Sequence, residues 1–323
     1  MTLAELRYLV AAADLQHFSR AAERCRISQP TFSSQLRKLE DYLGVRLFER
    51  TTKAVTITPI GERVVAHARR IFEEVDQICE LARHEQGTLT GVLRLGIIPT
   101  LGPYLLPLFL QHLHQAFPEL RLILREGLTG NLLAALETYE LDVLVIALPD
   151  RAGDLPSLPL FQEPFWFVCP ATHPLAAKRV VAERDLARHR LLLLDEGHCL
   201  RAQALAVCGE QFREREPVPD DFRATSLETI CEMVAAGLGC TLLPALAVPP
   251  LTARNPRLQV RPFEAAQAHR TVGLLWRASF PRSADLPALG TLIQQRLPAS
   301  VNLILRGERQ SAHRSVAATA TPR

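Results

Sequence analysis

Apolar residues recur every three or four positions in the first 58 residues of the chain. This spacing predicts helices from Leu3 to Val10 and from Phe32 to Leu43, with a short helix over Phe18 to Cys25 between them. Ser28 followed by Pro30 is typical of a helix start. Residues 46–58 then alternate in the manner of a β-hairpin. The pattern predicts an all-α winged helix-turn-helix domain over residues 1–58.

Residues 59–88 carry a different pattern, in which apolar positions step alternately by four and three. This is the a/d repeat of a short coiled coil, so we expect one long helix that pairs with its twin. The predicted dimerisation seam consists of Val64, Ala68, Ile71, Val75, Ile78 and Ala82.

From residue 89 onward, short apolar runs alternate with helical patterns, which favours an α/β domain with parallel strands. Two such sets follow one another, so we predict a two-lobed α/β domain over residues 89–298. Residues 299–323 lack an apolar period and are expected to form a flexible basic tail. The predicted strands are Val92–Ile98, Leu120–Leu124, Val143–Leu148, Phe165–Val168, Leu191–Leu194, Cys240–Leu243 and Thr271–Trp276.

Composition narrows the class of protein without naming a function. Hydrophobic residues at 48% and charged residues at 22% permit large cores, while a net charge of +3 does not by itself indicate a nucleic-acid partner. The excess is local, because the first 58 residues hold nine Lys or Arg side chains against six Asp or Glu. There is no apolar run of about 18 residues and no secretory signal pattern. We therefore expect a cytoplasmic protein whose seven cysteines are mostly thiols.

One face of the third predicted helix carries small polar side chains, followed along the helix by cationic ones. A helix that enters the major groove of DNA requires such a face. An ordinary solvated helix face is the alternative interpretation. The candidate DNA-binding residues are Gln29, Pro30, Thr31, Ser33, Ser34, Arg37 and Lys38 on this helix, with Lys53 near the tip of the wing.

A cysteine follows the predicted strand Leu191–Leu194, just past a turn. Residues 200–207 are good helix formers, so Cys199 falls in the first turn of a helix. The helix dipole there favours thiolate over thiol, and His198 could add positive charge. The alternative is a small core residue, as most lone cysteines are.

Two threonines also follow predicted strands, where open sheets of parallel strands bind ligands. The hydroxyls of Thr100 and Thr129 can hydrogen-bond a small polar molecule, or each can simply cap a helix. Arg270 precedes the strand Thr271–Trp276, where it either stabilises a thiolate or is a surface charge.

Three stretches of the chain resemble peroxide-responsive members of the LysR family of transcriptional regulators. They are Leu194–Arg201 with its second cysteine at Cys208, Gly96–Pro107 and Phe222–Thr229. The resemblance extends from residue 1 to about residue 298. It implies a LysR-type DNA-binding domain, a linker helix that pairs protomers, and a sensor domain like periplasmic binding proteins.

The resemblance also implies a chemistry. Hydrogen peroxide would be held by Thr100, Thr129, His198, Cys199 and Arg270, and Cys199 and Cys208 would form a reversible disulfide. Nine residues apart on a helix, these two cysteines are about 13 Å from each other and half a turn out of phase. A disulfide needs Cα atoms within about 7 Å, so residues 200–207 must unwind for the bond to form.

The partners implied by the resemblance are double-stranded promoter DNA, RNA polymerase, and a second copy of the chain as a homodimer or homotetramer. A thiol–disulfide reductant such as glutaredoxin would reverse the switch, and no cofactor, metal or membrane is expected. Two alternatives remain: a LysR-type regulator of a small organic effector with passive cysteines, and a thiol peroxidase. The DNA-binding pattern argues against an enzyme, because a peroxidase has no use for residues 1–58.

Overall fold

The computed structural model describes residues 1–50, 55–83, 89–148, 155–208, 224–264 and 268–304. The chain divides into two compact units, each considered by itself below. The N-terminal unit comprises Met1–Gln86 with Thr138–Glu140, and the sensor unit comprises Gly87–Glu137 with Leu141–Arg323.

Three helices, a hairpin and a long fourth helix build the N-terminal unit. The helices are α1 (Leu3–Leu15), α2 (Phe18–Arg24), α3 (Gln29–Leu43) and α4 (Pro59–Arg83). Strands β1 (Phe48–Arg50) and β2 (Val55–Ile57) pair antiparallel as the predicted wing. The tip of the wing, including Lys53, lies outside the described residues.

Aromatic rings form the centre of this unit. Phe32 of α3 is fully buried, 5.6 Å from the Tyr8 ring and 5.9 Å from the Phe18 ring between centroids. Phe48 of the wing meets Phe18 edge-on at 5.7 Å. The stripe predicted from Phe32 to Leu43 therefore faces the core, as expected.

The seam predicted on α4 is divided between two environments. Ala68 is 1% exposed and packs in the core of its own unit, so its assignment to a dimer interface was wrong. Val64 is partly buried against the same core, whereas Ile71 and Ile78 are 36% and 66% exposed. The Ala82 side chain lies outside the described part of the chain. Among the predicted seam positions, the first exposed one is therefore Ile71, about two helical turns after Val64.

The sensor unit is an α/β structure built on one continuous path of strands. In order across the path, these are β4 (Leu120–Glu126), β3 (Gly91–Ile97), β5 (Val143–Ala147), β10 (His269–Trp276), β6 (Ser157–Pro170), β9 (Leu258–Glu264) and β7 (Val181–Ala182). Strands β8 (Thr241–Pro244) and β11 (Asn302–Leu303) also pair with β6. The helices are α5 (Gly102–Ala116), α6 (Thr129–Glu137), α7 (Cys199–Val207), α8 (Leu227–Ala235), α9 (Val248–Ala253) and α10 (Leu286–Gln294). Short 3₁₀ helices cover Pro174–Ala177, Glu183–Arg188 and Ser283–Asp285.

The sheet is mixed, which corrects the expectation of parallel strands throughout. Strand β3 pairs parallel with β4 and β5, as predicted. Strand β10 then runs antiparallel between β5 and β6, and β8 and β9 are antiparallel to β6. Uninterrupted apolar runs indicate burial on both faces of a sheet but carry no information on strand direction.

Two predicted strand boundaries also change. The run Phe165–Val168 belongs to the 14-residue strand β6. The first part of β6 pairs with β10 and its second part pairs with β9. The predicted strand Leu191–Leu194 is instead an extended segment with two isolated bridges, Leu191 to Cys240 and Leu194 to Ala224. Most of its leucines are buried, as the apolar run predicted. The prediction of a regular strand was wrong, because the segment makes two isolated bridges and no continuous ladder.

The first six residues of the predicted tail, 299–304, belong to the described fold. Strand β11 pairs antiparallel with β6, Asn302 opposite Gln162 and Leu303 opposite Phe161. The Ile304 amide donates to the Leu160 carbonyl at 3.0 Å. Residues 299–304 are therefore part of the fold, and residues 305–323 lie outside the described chain.

Candidate functional site

Helix α7 carries one cysteine at each end. Cys199 is its first residue and half-buried, while Cys208 is its C-cap residue and buried. Both are free thiols. Because an intact helix of this length separates its ends by about 13 Å, the two sulfurs cannot react while α7 is folded.

A glycine turn brings the start of α7 beside the start of α6. Gly197 has φ +90°, a backbone conformation that favours glycine. A Cβ placed on it would lie 2.9 Å from Leu128 Cδ1, and Leu128 immediately precedes Thr129. The guanidinium of Arg201 donates to the Leu194 carbonyl at 3.2 Å and ties α7 to the preceding segment. The turn therefore packs the residue before His198 against the residue before Thr129.

His198 is the N-cap residue of α7, but its side chain makes no capping hydrogen bond. Burial lowers the pKa of His198, and the nearby Asp195 carboxylate only partly opposes this. The imidazole is therefore favoured in its neutral form near neutral pH, which corrects the expectation that it adds positive charge beside Cys199. A neutral imidazole can instead donate or accept a hydrogen bond.

Arg270 lies within β10 rather than before a strand, and its side chain is fully buried. Its Nε donates to Glu163 Oε2 at 2.8 Å, its Nη1 to Thr100 Oγ1 at 2.9 Å and its Nη2 to the Thr100 carbonyl at 3.0 Å. The surface-charge alternative for Arg270 is therefore wrong. The Thr100 hydroxyl is an acceptor for Arg270 and not a helix cap.

Glu163 is a site residue that the sequence analysis missed. Its side chain is fully buried in β6, and besides pairing with Arg270 it accepts the Leu246 amide at 2.8 Å. A carboxylate inside the long apolar strand β6 was the signal that could have revealed it, since a buried carboxylate needs a partner. Glu163 neutralises Arg270 and fixes the fork of its guanidinium toward Thr100.

Two buried polar atoms near α7 have no hydrogen-bond partner in the described structure. They are the Thr129 hydroxyl and Gln203 Oε1. The alternative in which Thr129 caps a helix is therefore not observed. Gln203, on α7 between the two cysteines, was also missed by the sequence analysis. Buried polar groups normally have partners, so these two atoms suit a small hydrogen-bonding molecule or water.

Cys208 is held in an unreactive form. Burial raises the pKa of its thiol to about 12, and the Glu183 carboxylate adds to the rise. Since the thiolate is the nucleophile, the buried Cys208 thiol is a poor nucleophile while α7 is folded.

A hydrogen bond also joins α5 to α8. The Tyr104 hydroxyl donates to Glu228 Oε1 at 2.8 Å, and burial raises the Tyr104 pKa further than this contact does. Both residues belong to the stretches by which the resemblance was identified. The hydrogen bond therefore links two segments that the sequence analysis had treated separately.

The candidate DNA-contacting face of α3 is exposed as predicted. Ser28 caps the helix, its Oγ accepting the Thr31 amide at 3.3 Å. Ser33 is half-buried and its hydroxyl accepts from Gln29 Nε2 at 3.0 Å. The remaining predicted residues on this helix, Pro30, Thr31, Ser34, Arg37 and Lys38, are exposed.

Comparison with known families decides the class of protein. Residues 3–62 match the profile "Bacterial regulatory helix-turn-helix protein, lysR family", and residues 86–298 match "LysR substrate binding domain". The chain belongs to the LysR family. These matches cover the winged helix-turn-helix of this LysR protein and nearly all of its sensor unit.

Relatives of this chain within the LysR family include OxyR proteins. The DNA-binding transcriptional dual regulator OxyR of Escherichia coli K12 is 43% identical over 95% of this chain and 99% of that protein. A full-length cysteine-to-aspartate variant of OxyR from Pseudomonas aeruginosa is 43% identical, with a TM-score of 0.80 over 95% of this chain and 98% of that one. A hydrogen-peroxide-bound OxyR mutant from Corynebacterium glutamicum is 33% identical, with a TM-score of 0.61 over 100% and 99% of the two chains.

Metal-binding clusters and membrane-spanning helices are not found in the part of this LysR protein that the structure describes. Its histidines, cysteines and carboxylates form no group of three or more that could hold a metal ion. No described helix combines the length and the apolar character needed to span a membrane.

Proposed function

We propose that this LysR-family protein is a transcriptional regulator of promoter DNA that senses hydrogen peroxide through Cys199 and Cys208. The observation that carries the proposal is α7, which begins at Cys199 and ends at a buried Cys208, and whose preceding turn packs against the residue before the unpartnered Thr129 hydroxyl. The relatives named as OxyR support the same function.

The proposed chemistry begins with peroxide held near Cys199 by Thr100, Thr129 and His198. The thiolate of Cys199 attacks one peroxide oxygen, the O–O bond breaks, and the departing oxygen leaves as water after protonation. Cys199 becomes a sulfenic acid. Cys208 then attacks that sulfur, the S–O bond breaks, a second water leaves, and a disulfide joins the two residues. A thiol–disulfide reductant such as glutaredoxin reverses the step by exchange.

The second step requires residues 200–207 to unwind. Leu200, Ala204 and Val207 form the buried face of α7, so unwinding exposes apolar surface as well as the Cys208 thiol. The disulfide then makes the unwound conformation the stable one. An order-to-disorder change of this kind is a known means of switching a regulator.

The proposed readout is a change in DNA binding and in contact with RNA polymerase, at promoters the protein activates or represses. We propose a homodimer through the exposed apolar positions of α4, assembling further to a homotetramer, in the cytoplasm. Ile78→Asp places a charge in the α4 seam and is expected to abolish the dimer in sedimentation experiments, because an unpaired buried charge is costly. An unchanged sedimenting mass would contradict the α4 interface.

The alternative of a small organic effector is less well supported by the site. An acidic effector would need the charge of Arg270, but Glu163 already neutralises that guanidinium at 2.8 Å. The thiol peroxidase alternative requires sustained consumption of peroxide with a thiol reductant present. We expect no such turnover beyond one equivalent for each reduction of the disulfide.

Peptide mapping under non-reducing conditions, before and after a brief low dose of peroxide, tests the proposal. Wild-type protein should gain a Cys199–Cys208 link and change its DNA footprint. Cys199→Ser should lose both responses, and Cys208→Ser should form sulfenic acid without the footprint change. Thr100→Val should slow oxidation, while Cys231→Ser, which alters a buried cysteine of α8, serves as the matched control. A footprint identical in reduced and oxidised protein would contradict the proposal.

A further inference from the structure

Two more thiols lie opposite each other in the sheet of the sensor unit. Val168 of β6 pairs with Thr241 of β8 in an antiparallel ladder. Cys169 follows Val168 and Cys240 precedes Thr241, so the next position of this ladder sets Cys169 opposite Cys240.

The backbone hydrogen bonds of Cys240 define what kind of pair this is. Its amide donates to the Arg190 carbonyl at 2.9 Å, and its carbonyl accepts from the Leu192 amide at 2.7 Å. Both groups therefore point away from β6. Opposed residues that do not exchange backbone hydrogen bonds have the closer spacing, about 4.5 Å between Cα atoms. A disulfide spans Cα separations of about 4.4–6.8 Å, so the position is compatible with one.

The reduced fold shields this pair from solvent. Cys169 and Cys240 are both fully buried, and the Cys240 Sγ donates to the Arg190 carbonyl at 3.2 Å. Burial raises the pKa of Cys169 to about 11 and is the main cause that raises the pKa of Cys240 to about 12. The thiols of Cys169 and Cys208 add to the rise at Cys240, and all three cysteines belong to the same buried core.

We propose that Cys169 and Cys240 are a second dithiol, which hydrogen peroxide oxidises to a cross-strand disulfide only after α7 unwinds. The inference rests on the proposed function, since it needs both the unwinding of α7 and peroxide as the oxidant. One thiol of the pair loses its proton and attacks a peroxide oxygen, the O–O bond breaks, and water leaves. The other thiol then attacks the sulfenic sulfur and releases a second water.

This second bond gives the protein a graded response to peroxide. Brief exposure oxidises Cys199 and Cys208 alone, because the deeper pair is still covered when the first disulfide forms. Prolonged exposure also joins Cys169 of β6 to Cys240, the residue before β8, within the core to which Cys208 belongs in the reduced fold. Reduction of the first disulfide then no longer restores the original surface for Cys208, so recovery requires two reductions.

A time course of peptide mapping at a sustained peroxide dose tests the order of events. In wild-type protein, the Cys169–Cys240 link should appear after the Cys199–Cys208 link. In Cys199→Ser, whose α7 stays folded, the second link should be absent over the same period. Equal formation of the second link in both proteins would overturn the shielding by α7. If wild-type protein forms the first link and never the second, this inference fails and the proposed function stands; if the first link never forms, the proposed function fails.

Two variants separate the role of the pair from general effects of buried cysteines. Cys240→Ala should remove the second link and speed the return of the reduced DNA footprint after prolonged oxidation. Cys231→Ala, at a buried thiol whose pKa is also raised to about 12, should leave both unchanged. Thermal unfolding of the reduced proteins checks the fold, and Cys169→Ala provides the same measurement if Cys240→Ala is unstable. Recovery at the wild-type rate in both pair variants would contradict the second dithiol.

Discussion

A buried carboxylate organises polar contacts in each unit, and the two carboxylates are held in different ways. Glu40 of the N-terminal unit accepts the amides of Leu47 and Phe48 at 2.9 and 3.2 Å, only seven and eight residues along the chain. Glu163 of the sensor unit pairs with Arg270, 107 residues away, at 2.8 Å. The first network fixes a local turn, whereas the second joins distant strands at the candidate site.

This difference determines how much each network contributes to stability. The charge of Glu40 is balanced by amide dipoles and by Arg46, whose side chain is 71% exposed. Glu163 and Arg270 have no exposed side-chain surface, so each depends on the other. A buried ion pair is costly to break by removing one partner and often harmless to replace as a whole. The comparison predicts unequal effects of similar substitutions in the two units.

The largest effect is expected from Arg270→Met, which leaves the Glu163 charge buried without its partner. The free energy of unfolding of the sensor unit should fall by about 3–5 kcal/mol. Urea denaturation followed by tryptophan fluorescence measures this, because Trp166 and Trp276 both lie in the sensor unit. The double variant Arg270→Met with Glu163→Leu should recover most of the loss. Equal loss in the single and double variants would contradict the ion-pair explanation.

A smaller effect is expected from Glu40→Ala, which leaves two buried amides without an acceptor. The cost should be about 1–3 kcal/mol in the stability of the N-terminal unit. Thermal loss of DNA binding measures it, with tryptophan fluorescence of the sensor unit as the internal control. Glu40→Gln keeps an acceptor oxygen and should lose less. A loss as large as that of Arg270→Met would remove the distinction between the two networks.

Arg37→Ala tests the N-terminal unit on its exposed side, away from Glu40. DNA affinity at fixed salt should fall by about 1–3 kcal/mol if Arg37 reads a base, with no change in thermal stability. Ser34→Ala, on the same face, should matter less. Unchanged affinity for Arg37→Ala would show that this face of α3 does not enter the groove.

The smallest effect concerns His198, whose pKa is lowered by burial from 6.5. The folded protein then binds fewer protons than the unfolded chain between the two pKa values, so stability rises with pH there. This contribution is lost as the pH falls below 6.5. His198→Gln should therefore flatten the decline in stability as the pH falls below 6.5, relative to wild type. Burial also lowers the pKa of His173, but His173 is present in both proteins and contributes equally to each. The same pH dependence of stability in wild type and His198→Gln would contradict the lowered pKa of His198.

The N-terminal unit could be predicted largely from sequence because its contacts are local. Helix α3 shows its buried stripe and its cap within fifteen residues, and the wing pairs neighbouring strands. The placement of β10 between β5 and β6 had no such signal, because strand order depends on contacts over more than a hundred residues. Ala68 was misassigned for a related reason: a seam spacing does not say whether the partner helix belongs to the same chain.

The parts of the candidate site that lie at strand-to-helix junctions could be predicted from the sequence. The strand-to-helix junctions indicated Thr100 and Thr129, and helix geometry indicated that Cys199 and Cys208 cannot meet in an intact α7. The partners of Arg270 could not be predicted from the sequence, because an arginine before an apolar strand does not reveal a carboxylate on another strand. Gln203 was missed because a glutamine in a helix is ordinary until its oxygen is found buried without a partner.

Strand β11 has a consequence for the sheet as a whole. Along Phe161 and Gln162, β6 has β10 on one side and β11 on the other. A chain shortened to residue 298 would uncover the backbone of Leu160 through Gln162 on that second side. Open strand edges are templates for pairing with other chains. The six residues after Pro298 therefore cover a strand edge that would otherwise favour aggregation. Shortened proteins that keep residue 304 should remain in solution better than those that end at residue 298.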